Sequence, residues 1–243
     1  PPEAYTYAIN KEVAEKYKIR RYGAHGTSHQ FISSRVPGFL GREGEDLRQI
    51  VLHLGNGASA SAVKNGKPLD TSMGLTPLEG LVMGTRSGDI DPSVYPLLSR
   101  QAGMDPAEVD TLLNKKSGLM GQLGMSDFRD ITAAVESGDE NAKLTLGMWA
   151  HRVKKYVGAY SFILGGLDVI TFTAGIGENA SLARSSALEG LEEFGIILDE
   201  EANSQRKKEP WIISAPESKV TVLVYPTNEE LAIAQQTLEV ARG

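Results

Sequence analysis

Residues 49–71 constrain the fold most. Gln49–Leu54 is a compact apolar run, Gly55-Asn56-Gly57 is a turn signal, and Ala58–Lys64 resumes in small residues. Asn65-Gly66 then marks a tight hairpin, and Lys67–Thr71 returns. Three strands joined by such turns make an antiparallel meander. The first turn carries little side-chain bulk, which suits a loop whose backbone N–H groups must approach a ligand closely.

A second strand-based unit lies far along the chain. Asp168–Ala174 reads as a strand entering Gly175-Ile176-Gly177-Glu178-Asn179, with a helix running on through about Leu191. Val220–Tyr225 is the last strand. Pro226 breaks it, and Thr227 begins a terminal helix with Glu230 at capping-box spacing. Between the units the pattern is helical. Asn10–Tyr17 and residues 25–34 read as short helices, and Asp105-Pro106-Ala107-Glu108 is a helix start. The longest helix spans about Asn141 to Leu164. Its apolar stripe is Trp149, Val153, Tyr156, Val157, Tyr160 and Ile163, and Gly165-Gly166 stops it. Residues 72–92 are dense in Gly, Pro, Thr and Ser yet hold Leu, Val, Met and Ile. That predicts an ordered, functional loop. The order of elements predicts an α/β fold with a mixed sheet.

Composition excludes several classes. The chain has no cysteine, so disulfide scaffolds, thiol nucleophiles and Cys-based zinc sites are ruled out. The net charge of −6 argues against a broad nucleic-acid or anionic-membrane surface. Lys18, Arg20 and Arg21, and likewise Arg206, Lys207 and Lys208, read as solvated faces. No apolar run is long enough to span a bilayer. The opening Pro-Pro-Glu-Ala, without initiator Met or signal pattern, reads as the interior of a longer polypeptide in a cytoplasmic setting.

Five segments carry chemistry. Arg21-Tyr-Gly-Ala-His-Gly-Thr-Ser-His29 offers imidazoles flanked by glycine, which suit phosphate oxygens but equally suit a helix start with a core histidine. His53-Leu-Gly-Asn-Gly-Ala-Ser59 is either an anion-binding concavity or an ordinary hairpin. In Gly84-Thr-Arg-Ser-Gly-Asp-Ile-Asp91, Arg86 is uncrowded. Its planar fork matches phosphoryl oxygens, or pairs with Asp89 or Asp91. Phe172-Thr-Ala-Gly-Ile-Gly-Glu-Asn179 is a strand feeding a glycine-rich turn at a helix start, a common nucleotide-side arrangement. In Pro226-Thr-Asn-Glu-Glu230, Glu229 is either a magnesium ligand or a first-turn acid favoured by the helix dipole. There is no GxxxxGK[ST] stretch and no GxGxxG kinase loop, so a nucleotide would be held another way.

Taken together and in order, these segments resemble the acetate kinase family. Asp70-Thr-Ser-Met-Gly, Pro77-Leu-Glu-Gly and Pro226-Thr-Asn-Glu-Glu-Leu231 extend the likeness over nearly the whole chain. The resemblance implies a ribonuclease H-like, actin-like ATPase domain with a mixed five-stranded sheet flanked by helices. It implies reversible phosphoryl transfer from ATP to acetate, giving acetyl phosphate and ADP. Propionate or butyrate kinase activity, or a non-catalytic nucleotide-binding and dimerisation module, are the alternatives.

Residue by residue, the resemblance puts His25, His53 and Arg86 at the transferred phosphoryl, with Asn56 and Gly57 in the adjoining loop. Asp127, Phe128 and Arg129 would hold adenosine, and Gly175, Ile176, Gly177 and Asn179 the adenine side. Glu229 would bind Mg²⁺, with Mn²⁺ an alternative. Ala24 and Pro77 would line the acyl pocket, where the family usually has Phe in place of Ala24. Residues 1–226 would form the nucleotide-binding and dimerisation domain of a homodimer. Residues 227–243 would be a helix packing on an N-terminal domain that this chain lacks. That domain would carry an Asn-Ser-Gly-Ser-Ser phosphate loop, a catalytic Asp and a second Arg, which predicts low activity for these residues alone.

Overall fold

A computed structural model describes residues 1–227 and Thr237. Glu229, Glu230 and the expected terminal helix lie outside the described residues. In chain order the helices are α1 (Pro2–Tyr5), α2 (Lys11–Tyr17), α3 (Gly26–Phe39), α4 (Val94–Ala102), α5 (Pro106–Lys115), α6 (Gly118–Leu123), α7 (Phe128–Glu136), α8 (Glu140–Ile163), α9 (Ala174–Asn179), α10 (Ser181–Leu188) and α11 (Glu200–Ser204). The strands are β1 (Arg48–Leu54), β2 (Ala58–Lys64), β3 (Lys67–Thr71), β4 (Val169–Thr173), β5 (Trp211–Ile212) and β6 (Thr221–Val224).

Among the described residues one sheet forms, in the order β3-β2-β1-β4-β6-β5. The meander is antiparallel, β1 is parallel to β4, and β4 is parallel to β6. The expected five strands are present. A sixth, the two-residue β5, pairs antiparallel along the edge of β6. Its brevity leaves no alternating pattern to read.

Layering follows from the two-residue period of a strand. Ile50, Leu52 and Leu54 of β1 face one side, where they join Ile170, Phe172, Val222 and α8 in the main core. Val51 faces the other side, where Val169 and Leu223 meet Phe31, Ile32 and Val36 of α3. Both faces are covered, so Gln49–Leu54 is buried throughout. On β2 the alternation is Ala against Ser. Ala58, Ala60 and Ala62 belong to the main core, and the small side chains let α8 lie close to the strand.

The helices match expectation at their starts better than at their ends. Asn10 caps α2, Asp105 and Glu108 form the capping box of α5, and Asp139 caps α8. Of the expected α8 stripe, Trp149, Val153, Val157 and Tyr160 are buried, whereas Ile163 at the last turn is 49% exposed. The helix expected through Leu191 ends at Leu188, ahead of a 3-10 turn at Glu192–Phe194. The Gly175–Asn179 stretch is itself helical, as α9, rather than a turn before a helix.

Residues 72–92 hold no helix or strand, as expected, and are tied down at both ends. The Arg21 guanidinium, read from sequence as solvated, donates to the carbonyls of Thr71, Ser72 and Met73 and to Glu79 Oε1 at 2.6 Å. Tyr7 hydrogen-bonds the same Glu79. Downstream, Asp89 accepts from Gly80 N–H and from the Tyr156 hydroxyl at 2.8 Å each, and Arg152 of α8 donates to the carbonyls of Gly80 and Asp89. An irregular segment must satisfy its backbone groups somewhere. Here half-buried arginines and an aspartate take the place of a ladder.

Candidate active site

The same alternation builds the site. His53 shares the α3 face of β1 with Val51, and the hairpin register sets Ser59 of β2 directly opposite it. The start of α3 comes down over this pair. His25 is its N-cap residue, with φ 59° and ψ 21°. A left-handed backbone at a non-glycine residue is uncommon, and such outliers gather at functional sites. Four residues on, one helical turn away, is His29.

Three imidazoles therefore meet around two serines. The His25 and His53 rings stack with centroids 4.0 Å apart and planes 22° apart. Ser59 Oγ lies 2.8 Å from His25 Nδ1 and 2.7 Å from His29 Nε2. Ser28 Oγ lies 2.9 Å from His53 Nδ1 and 3.2 Å from the hydroxyl of Thr227. Burial, reinforced by the neighbouring histidines, pushes His29 down to about 3. Burial and then His25 push His53 down to about 4. Both rings are neutral at neutral pH.

Arg86 reaches the same place from the 72–92 loop. A Cβ added to Gly57 would sit 3.3 Å from Arg86 Nη1 and 3.5 Å from His25 Nε2, so guanidinium and imidazole converge on one backbone position. Any side chain there would fill that corner. Arg86 Nη1 also donates to the Pro77 carbonyl at 3.2 Å. Gly84 N–H donates to the Asn56 carbonyl at 2.9 Å, and a Cβ at Gly84 would overlap the Asn56 side chain, so the arginine loop and the glycine turn are locked together. The acids weighed as partners of Arg86 are engaged elsewhere. Asp89 holds Tyr156 and lies 3.7 Å from Arg152, and Asp91 accepts from Ser93 N–H.

Beside this corner opens a cleft of about 750 Å³, lined among others by Asn56, Asp127, Arg129, Gly175, Ile176 and Asn179. Loops distant in sequence thus share one wall. Details differ. Phe128 reaches the cleft but is 5% exposed, its ring edge-on to Trp149 at 4.9 Å. Asp127 caps α7 and pairs with Arg129, which holds its carboxyl down to about 2. Gly57 and Gly177 do not line the cleft. Gly177 lies behind it, packed on the β4 backbone at Phe172. Arg206, read as a solvated face, sits on the cleft rim.

Ala24 lines a separate cavity of about 390 Å³ beside α3, with His29, Ser33, Ser61 and Val63. Pro77 is not part of that cavity and stands with Arg86. Sequence reasoning overlooked Ser59, Ser28 and Arg184. The turn length alone places residue 59 across from residue 53, a signal that was available. Arg184 is 1% exposed and bonds the carbonyls of Gly177, Glu178 and Asn203, bracing α9 from behind. Nothing in the sequence around it marks it as buried.

The sheet order, the glycine turn after β1 and the cleft at the strand ends define a domain of the actin-like ATPase type. The model of the acetokinase family matches residues 1–235. This chain belongs to the acetokinase family. It is 55% identical to the acetate kinase of Desulfotalea psychrophila and 58% identical to that of Leifsonia xyli, over its full length and over 60% and 61% of theirs. The crystal structure of Porphyromonas gingivalis acetate kinase superposes with a TM-score of 0.95 at 46% identity, covering 99% of this chain and 61% of that one. A propionate kinase from Francisella tularensis superposes at 0.91 and 44% identity, covering 97% and 60%. The chain thus spans about 60% of the length of the relatives it matches. Among the described residues no helix is long and apolar enough to cross a membrane.

Proposed function

We propose that the protein carrying this chain is an acetate kinase that moves a phosphoryl group reversibly between ATP and acetate, giving acetyl phosphate and ADP. The observation that carries this reading is the meeting of Arg86 and His25 at Gly57, beside the cleft lined by Asn56, Arg129 and Ile176. Phosphoryl transfer asks mainly for alignment and charge stabilisation. Arg86 supplies a fixed positive charge for the equatorial oxygens. His25 and His53 supply neutral or hydrogen-bonding contacts, and the Gly55–Gly57 turn admits the phosphate. The carboxylate substrate is already a nucleophile, so the site needs no strong base, and transfer is direct and in line.

In this reading Asp127, Phe128, Arg129, Gly175, Ile176 and Asn179 hold the nucleoside, with Gly177 shaping the loop behind them. Among the described residues no three His, Asp or Glu side chains gather to hold a metal. In this reading a magnesium ion is bound chiefly by phosphate oxygens, with Glu229 its protein ligand. Such a cation neutralises phosphate charge. Residues 1–226 act as the nucleotide-binding and dimerisation domain of a cytoplasmic homodimer. The test is acyl-phosphate formation by the full-length protein from ATP and acetate. A stable phospho-enzyme on the reaction path would overturn direct transfer.

The cavity beside Ala24 favours a second reading, in which propionate is accepted well. An alanine where the family carries Phe leaves room for a further methylene.

A further inference from the structure

The hydrogen-bond arithmetic around Ser59 has one satisfactory solution. Ser59 is fully buried, and its hydroxyl has one hydrogen to give and lone pairs to accept. Its Oγ touches His25 Nδ1 at 2.8 Å and His29 Nε2 at 2.7 Å. On the far side of the second ring, His29 Nδ1 is buried without a partner among the described residues.

Three assignments are available. If Ser59 donates to His29, the single proton of that neutral ring sits on Nδ1, and a buried N–H is left with nothing to bond. If both imidazoles donate to Ser59, the serine hydrogen is stranded. If His29 donates from Nε2 and Ser59 passes its own hydrogen to His25 Nδ1, both donors of the buried pair, the His29 N–H and the Ser59 hydroxyl, are used. The His25 proton then sits on Nε2, at the half-exposed corner, and the only group left unmatched in the buried pair is a lone pair on His29. Orphaned buried N–H groups are rarer and costlier than under-used acceptors.

We propose that His29 and Ser59 are positioning residues that fix the tautomer of His25, holding its proton on Nε2. That nitrogen faces the Gly57–Arg86 corner, 3.5 Å from where a Gly57 Cβ would lie. His25 then presents an N–H, not a lone pair, to an incoming phosphoryl oxygen. Burial keeps His29 neutral down to about pH 3, so the relay holds across the working range. The inference about catalysis rests on the phosphotransferase reading above; the tautomer itself does not.

Two-bond ¹H–¹⁵N correlation spectra of the ¹⁵N-histidine-labelled full-length protein, with His25→Asn for assignment, read the tautomer directly. His25 is expected in the Nε2–H form and His29 likewise. Ser59→Ala is expected to mix the His25 tautomers and to lower kcat severalfold, in proportion to the fraction of His25 that loses its Nε2 proton, with little change in KM. Ser59→Thr, which keeps the hydroxyl, is expected to restore both. A wild-type His25 protonated on Nδ1, or a Ser59→Ala protein with kcat and tautomer unchanged, overturns the proposal. Absence of acyl-phosphate formation by the wild type would instead defeat the function, leaving the spectra to decide the relay.

Discussion

His25 lies flat on His53, ring centroids 4.0 Å apart, although the first caps a helix and the second ends a strand. Two cationic imidazoles would repel at that distance, so the stack holds only while at least one ring is neutral. His53, pushed down to about 4, is the neutral member at physiological pH.

Acid should therefore unfold the domain early. The folded values of about 4 for His53 and about 3 for His29 lie below the ordinary 6.5, so the unfolded chain binds more protons as pH falls. Stability is full above pH 6.5 and is lost toward pH 4 at about 1.4 kcal/mol per pH unit for each such histidine. Urea denaturation at pH 7 and 4.5 measures this. His29→Gln, which removes one titrating ring, should flatten the slope by about half.

Arg86→Ala should cost on the order of 10³–10⁵ in kcat, as loss of an arginine does in other phosphoryl transfers. Arg86→Lys should recover little, because a point charge cannot span two oxygens. Thermal denaturation should be nearly unchanged, since among the described residues the Arg86 guanidinium donates to the Pro77 carbonyl at 3.2 Å and to Met83 Sδ at 3.7 Å, two weak contacts. Near wild-type turnover in Arg86→Ala would remove the arginine from the chemistry.

Tyr156→Phe should lower stability by about 1–1.5 kcal/mol, the worth of its hydrogen bond to Asp89. Asp89→Ala should cost more and depress kcat as well, because Gly80 N–H, Tyr156 and Arg152 lose a partner together. Calorimetry beside steady-state kinetics separates the two. Equal activity in both variants would mean that the loop carrying Arg86 is held by other contacts.

Ala24→Phe should narrow acid specificity. A methylene in an apolar pocket is worth roughly 1–3 kcal/mol, so the kcat/KM ratio of propionate to acetate should fall about tenfold or more. A series over acetate, propionate and butyrate reads this. Strict acetate preference in the wild type would show that the cavity beside Ala24 does not receive the acid.

Much of the site was legible because its parts are local patterns. The Gly55–Gly57 turn, the loop bearing Arg86 and the strand end before Gly175 each announce themselves by composition. Their ligand-facing detail was not legible. Phe128 reads as a nucleoside contact, yet it is 5% exposed and its ring packs edge-on against Trp149, a partner 21 positions away that no local pattern names. Arg21 reads as a surface charge, yet it is drawn inward by three carbonyls of a loop 50 residues on.

By itself, the order of apolar runs, glycine turns and caps determined the meander, the long α8 and the family. These depend on backbone sterics and on burial period, which act between near neighbours. Only the tertiary structure decided that Ser59 serves two histidines, that Asp89 bonds Tyr156 rather than Arg86, and that Arg184 is buried behind α9. A side chain with several possible partners chooses by which of them folding brings within about 3 Å, and that distance is set by the packing of helices on the sheet.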